Sequence, residues 1–195
     1  MTIAVVPVEL SAESLAGVEI FRHLDFEDRR ALAGMCQGRR YGADQQIVSH
    51  KDEARDVYFI ISGKVRVTIY SLSGKEITFR DQVAGEMFGE LAAIDGGPRS
   101  AYVVALEDSL LASMPAESFW EVMRRYPSAA EFTFKRLAKL VRLLSERVFE
   151  FSTLAVRNRI HAELLRLARG HMTGENTAAI SPAPTHADIA SRVST

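Results

Sequence analysis

One segment concentrates the residues that could do chemistry: Gly85 to Val104, reading G-E-M-F-G-E-L-A-A-I-D-G-G-P-R-S-A-Y-V-V. Within it, Gly89-Glu-Leu-Ala-Ala93 reads as a turn entering one turn of helix. A glycine there lets backbone approach a ligand closely. The exposed N–H groups of a helix start suit a phosphate. Gly96-Gly97-Pro98 then reverses the chain and brings Arg99 beside that helix start. A guanidinium can hold a phosphate by two parallel hydrogen bonds. Glu90 is an acceptor for hydroxyl groups such as a sugar edge. Its carboxylate would repel a phosphate unless it served another part of the ligand, and Arg99 would soften that repulsion. The competing reading of the same residue types is an ordinary Glu90–Arg99 ion pair at a strand turn.

Other chemistries find little support. The chain has one cysteine, Cys36, which can form neither an internal disulfide nor, alone, a zinc or iron–sulfur site. It lies in an apolar helix-like run and reads as a small buried hydrophobe. The five histidines, at 23, 50, 161, 171 and 186, do not cluster, so neither a haem nor a metal ligand set is expected. His161 and Glu163 flank one residue on a helix and do not share a face. No nucleophile–base set or carboxylate pair stands out, so no catalytic residue is expected.

The elements that must position this segment separate by periodicity. The 195 residues carry a net charge of -1 with 47% hydrophobic residues, a globular composition with no global basic field. No apolar run reaches the ~18 residues of a membrane span, and Met1–Val8 lacks the basic start of a signal peptide. A cytoplasmic protein is expected. Up to about Gly38 the chain reads as helical, with Ser11 or Ser14 as a cap and Asp25–Asp28 as an acidic helix start. Leu24, Phe26, Leu32 and Met35 would form the inner face of that second helix.

From about Arg39 to Met114, short runs rich in β-branched and aromatic residues alternate with turn signals. The expected strands are Gln46–Ser49, Val57–Ile61, Val65–Tyr70, Glu76–Phe79, Tyr102–Ala105 and Ser109–Ala112. The turns are Gly42–Asp44, Ser62–Lys64, Ser73–Lys75 and Glu107–Asp108. This pattern predicts an all-β roll or sandwich.

After Pro115 a short helix is expected, and Pro127 opens a long one. There Ala130, Phe134, Leu137, Val141, Leu144, Val148 and Phe151 follow a 4-3 spacing, a heptad seam that predicts a homodimer. A helix at about Val156 to Arg169 would end at Gly170, a loop would cover His171 to Pro184, and Thr185 with Asp188 would cap a last helix to Val193.

The cassette resembles the phosphate-binding segment of cyclic nucleotide-binding domains, F-G-E-L followed by P-R-[ST]-A, in Phe88-Gly-Glu-Leu91 and Pro98-Arg-Ser-Ala101. The order of roll, long helix, short helix and helix-turn-helix start is similar to the Crp/Fnr regulators over nearly the whole chain. The resemblance implies an α+β chain in three parts. Residues 1–126 would form a double-stranded, jelly-roll-like β-roll with flanking helices. Residues 127–152 would be the dimerisation helix, and 153–195 the start of a winged helix-turn-helix. It implies that Glu90 accepts a ribose hydroxyl, Arg99 pairs with the cyclic phosphate, and Gly89, Leu91, Ser100 and Ala101 complete the pocket. The purine would lie against the long helix at Leu144 and Ser145, where a relative's threonine–serine pair meets adenine. Leu144 lacks the threonine's hydroxyl.

The implied effector is a cyclic nucleotide, cyclic AMP first and cyclic GMP second, with no metal. The implied partners are a second copy of the chain, DNA through Thr185, His186 and Arg192, and RNA polymerase, with no membrane. Ser194-Thr195 would begin the turn, and the sequence is expected to stop before the recognition helix. From Arg157 to Thr195 five arginines face three acids, 5 - 3 = +2, mildly favourable for DNA. The alternatives are a roll that takes another effector or none, and a regulatory module without DNA binding.

Overall fold

The computed structural model describes residues 6–70 and 76–193. The Ser73–Lys75 turn, the Ser194-Thr195 turn and residues 1–5 lie outside the described residues. Two compact units divide the chain: residues 1–69 with 80–135, and residues 70–79 with 136–195. The division falls inside one long helix, which begins in the first unit and continues into the second.

The first unit opens with strand β1 (Val6–Val8), helix α1 (Ala12–Ala16), a 3-10 turn (Glu19–Phe21) and α2 (Phe26–Gly34). Ser11 caps α1 in a reciprocal pair with Ser14, and the Asp25 carboxylate accepts the Asp28 N–H at 2.8 Å to cap α2. Two expectations change here. β1 adds a strand to a region read as helical, and Phe26 is exposed rather than core-facing. Phe26 is the first residue of α2, just after the cap, and precedes the buried stretch Leu32-Ala33.

The strands are β2 (Gln37–Tyr41), β3 (Gln46–Val48), β4 (Val57–Ser62), β5 (Lys64–Tyr70), β6 (Glu76–Val83), β7 (Met87–Phe88), β8 (Tyr102–Ala105) and β9 (Ser109–Met114). They form a five-stranded sheet, β1-β2-β9-β4-β7, and a four-stranded sheet, β3-β8-β5-β6. The pairs β1·β2, β2·β9, β4·β9, β4·β7, β3·β8 and β5·β8 are antiparallel.

Strand β4 shows why both its faces must be apolar. Val57 and Phe59 join the cluster built with Leu15, Phe21 and Phe119 from the helical layer and Met114 from β9. Tyr58 and Ile60, pointing the other way, join Tyr41, Val65, Phe88, Val103 and Leu111. The helical layer is completed by α3 (Glu90–Asp95), the cassette helix, and α4 (Ala116–Arg125).

Helix α5 (Pro127–Thr153) has 27 residues, so it runs about 40 Å. Of its seam residues Phe134, Val141, Leu144, Val148 and Phe151 are exposed, and Ala130 and Leu137 are half-buried. In the second unit α6 (Val156–Arg169) is followed by a two-stranded hairpin, β10 (Met172–Gly174) with β11 (Thr177–Ala178), where a loop was expected. Thr185 and Asp188 then cap α7 (His186–Val193) reciprocally, as expected. Within the second unit the Thr78 hydroxyl lies 3.1 Å from that of Ser191 on α7. The α+β class read from the sequence is the class observed. Among the described residues no helix is long and apolar enough to cross a membrane.

Candidate cyclic nucleotide site

The cassette begins where β7 ends. Gly89 takes φ +85, a left-handed conformation, as the residue before α3. A Cβ built there would sit 2.6 Å from Arg99 Nη1 and 2.8 Å from the Asp56 carbonyl oxygen. Both the backbone angle and the space therefore require glycine. Helix α3 closes at Gly96, also left-handed, whose N–H returns to the Ala92 carbonyl. Gly97 N–H donates to the Asp95 carboxylate at 2.8 Å and sets the turn into Arg99.

The backbone of Arg99 is pinned to the segment after β3. Its N–H donates to the Asp52 carbonyl at 2.8 Å, and its carbonyl accepts the Lys51 N–H at 2.9 Å. Arg99 is 3% exposed, and its guanidinium is held by two carbonyls. Nη1 donates to Gly89 O at 3.2 Å and Nη2 to Asp56 O at 2.8 Å. The guanidinium carbon lies 5.7 Å from the centroid of the Tyr58 ring. Burial pulls the Arg99 pKa down from its ordinary value, opposed by Tyr58, Asp56, Asp52 and Glu90. An arginine stays charged under such shifts. Glu90 is equally buried, at 3%. The Arg99 guanidinium donates to the Gly89 and Asp56 backbone carbonyls, and Glu90 adds to the field that keeps it charged.

Among the other cassette positions, Ala101 is buried while Leu91 and Ser100 are exposed. On α5, Leu144 is exposed, and Ser145 donates its hydroxyl proton to the Val141 carbonyl at 2.9 Å. In the second unit Thr185 and His186 are exposed at the start of α7. Arg192, expected to face DNA, is buried instead: it is 8% exposed, with Nη1 3.6 Å from Glu163 Oε1. That carboxylate gathers arginines from three helices. Arg147 of α5 reaches Glu163 at 3.1 Å, and Arg166 of α6 bonds both it and Glu150, the latter at 2.7 Å. Arg147 also donates to the Arg192 carbonyl at 2.7 Å.

Asp56, Tyr58 and the Glu163 cluster were not singled out from sequence. Asp56 and Arg99 are 43 positions apart, so only the folded sheet shows that they meet. Among the described residues no group of His, Cys, Asp or Glu is arranged to hold a metal ion.

The cyclic nucleotide-binding domain model matches residues 38–126, which contain the whole cassette. The cyclic AMP receptor protein of Thermus thermophilus is 34% identical over 80% of this chain and 72% of its own length. Other curated regulators named as cyclic AMP-activated are 25% or 27% identical, and the chain spans between 60% and 74% of their length. Two solved structures share the fold. The c-di-GMP-responsive regulator CLP of Xanthomonas campestris has a TM-score of 0.67 over 83% of this chain and 81% of its own, at 21% identity. A CooA mutant from Carboxydothermus hydrogenoformans has a TM-score of 0.76 over 97% and 80%, at 18% identity. With its roll matched by the domain model and its sequence tracking the Thermus receptor from roll to helices, the chain belongs to the Crp/Fnr family of ligand-responsive, DNA-binding transcription regulators.

Proposed function

We propose that the roll binds a cyclic nucleotide, cyclic AMP first among candidates, and that this binding regulates DNA recognition by a homodimer. The observation that carries the reading is the placement of Arg99. Its charge is desolvated, its backbone is fixed on both sides, and it sits against a glycine that leaves no room for a side chain. A guanidinium has five N–H donors, and two are engaged by the Gly89 and Asp56 carbonyls. A phosphodiester supplies the anion such a group lacks, and Glu90 can accept a ribose hydroxyl. Gly89, Leu91, Ser100 and Ala101 complete the proposed lining.

Leu144 and Ser145 are proposed as the base contacts on α5. The Ser145 proton is engaged by Val141, which leaves its oxygen as an acceptor. An acceptor suits the amino group at position 6 of adenine better than the carbonyl oxygen of guanine. The Thermus relative is itself named a cyclic AMP receptor.

The exposed seam of α5 supports a second copy as its occupant, with 127–152 as the dimerisation segment between the roll at 1–126 and the DNA-reading part at 153–195. At α7, Thr185 and His186 are the proposed DNA contacts, and Arg192 acts inward on Glu163. RNA polymerase is the proposed partner at a promoter. The proposed protein is cytoplasmic, does not act on membranes, and is not an enzyme.

Calorimetric titration with cyclic AMP and cyclic GMP tests the reading. Saturable binding of one cyclic AMP per chain, tighter than cyclic GMP, supports it. Heat from neither nucleotide overturns it. A second reading is favoured by Leu144, which offers no hydroxyl to a base: the roll binds the ribose-phosphate without choosing the purine. Equal affinity for the two nucleotides is its signature.

A further inference from the structure

We propose that Tyr58 is a positioning residue for Arg99: its ring face carries the guanidinium and leaves the guanidinium's edge for the cyclic phosphate. The inference rests on the nucleotide-binding reading above and adds the residue that prepares the arginine.

The geometry begins on β4. Asp56, just before that strand, gives Arg99 a carbonyl at 2.8 Å. Tyr58, two residues further on, presents its ring 5.7 Å from the guanidinium carbon. One short stretch of chain therefore grips Arg99 in two ways. The register then connects the second arm. Tyr58 stands opposite Phe88 in the β4·β7 pair, and their rings stack at 5.0 Å with an interplanar angle of 7°. Phe88 directly precedes Gly89, whose carbonyl accepts the other guanidinium bond at 3.2 Å. Tyr58 thus touches both Phe88 and Arg99, and this run of contacts couples the end of β7 to the arginine across the start of the cassette.

The chemistry follows from the shape of the group. Guanidinium N–H bonds lie in its plane, so a contact with an aromatic ring through the face leaves the in-plane donors usable. A cation over a ring is attracted by the ring quadrupole, and the attraction strengthens when water is excluded. Arg99 is desolvated here, so the ring offsets part of the burial penalty without consuming a donor. A purely apolar neighbour would fill the space and give no such compensation.

The test compares Tyr58→Phe with Tyr58→Leu. Cyclic AMP affinity is read by calorimetry, thermal unfolding reports the fold, and the Arg99 Nε–Hε signal is read by NMR in the nucleotide-free protein. Tyr58→Phe keeps the ring and should bind within about twofold of the parent. Tyr58→Leu should bind about threefold to thirtyfold more weakly while still unfolding cooperatively. The Arg99 Nε–Hε signal should carry a ring-current shift in the parent and in Tyr58→Phe, and lose it in Tyr58→Leu. The proposal is overturned if Tyr58→Leu binds as the parent does, if Tyr58→Phe loses as much as Tyr58→Leu, or if the Nε–Hε signal does not move. Should the parent bind no nucleotide, the nucleotide reading falls, and the NMR comparison still decides whether Tyr58 holds Arg99.

Discussion

The indole N–H of Trp120, on α4, donates to the carbonyl of Ala93, on α3, at 2.9 Å. Helix α3 is the cassette helix, so the chain's one tryptophan is fastened to the element that a ligand would touch. Any nucleotide-linked shift of α3 must strain or reorient that bond. Titrating cyclic AMP is therefore expected to change Trp120 emission with the same midpoint as calorimetry. Trp120→Phe should remove the signal and cost about 1 kcal/mol of stability, the net worth of a typical hydrogen bond. Emission that stays constant through saturation would contradict the coupling.

Gly89 admits no side chain for two independent reasons, a φ of +85 and a virtual Cβ 2.6 Å from Arg99 Nη1. Gly89→Ala is expected to cost about 1–3 kcal/mol in stability through backbone strain alone. It should also displace the Arg99 guanidinium and weaken cyclic nucleotide binding by at least about tenfold. Chemical denaturation and equilibrium binding on the same preparation check both effects. Normal affinity in a destabilised variant would show that Arg99 does not need its observed place.

How much of this was legible in the sequence differs by element. Val65–Tyr70 announced itself by its alternating residue types, although its burial does not follow them: Val65 and Thr68 are buried while Val67 and Ile69 are half-buried. β2 did not, because Gln37, Arg39 and Arg40 break any apolar pattern; it is held by pairing between β1 and β9. β7 is two residues long and lay hidden inside the cassette, and β10–β11 sits in a stretch of polar and small residues that reads as loop. At the site, Gly89, Glu90 and Arg99 lie within one short segment, so their spacing was informative. Asp56 and Tyr58 meet Arg99 only through sheet pairing across distant sequence, which no local pattern encodes. Arg192 looked outward from sequence because a basic residue near a helix-turn-helix suggests DNA, whereas in the structure it turns to a buried carboxylate on another helix, a pairing no local pattern encodes.

That carboxylate, Glu163, is 1% exposed and faces Arg147, Arg166 and Arg192. Removing one member of a buried ion cluster leaves uncompensated charge and typically costs about 3–5 kcal/mol. Glu163→Gln is expected to loosen α7 from α5 and α6 first. Hydrogen exchange of α7 amides should accelerate while strand amides of the roll keep their protection. Uniform acceleration through the roll, or none in α7, would count against Glu163 as the local tie.

Tyr126 donates its phenol to the Asp28 carboxylate at 2.7 Å, joining the end of α4 to α2. Burial first, then the bond to Asp28, raises its pKa from 10.0 to about 12. A phenol with a raised folded-state pKa stabilises fully below its unfolded value, near 10, and loses that contribution as pH rises through about 12. Stability should therefore fall between about pH 10 and 12, and Tyr126→Phe should flatten that part of the profile while costing about 1 kcal/mol near neutrality. An unchanged alkaline slope in Tyr126→Phe would assign the loss to other groups.

The central claim is that the Arg99 guanidinium is the anchor for a cyclic phosphate. Its most direct test is the affinity of cyclic AMP for the parent and for Arg99→Ala, measured by calorimetry on proteins shown to be folded. Loss of a charge-assisted bond worth about 1.5–3 kcal/mol predicts roughly 10-fold to 150-fold weaker binding. Equal affinity in the two proteins would contradict the account.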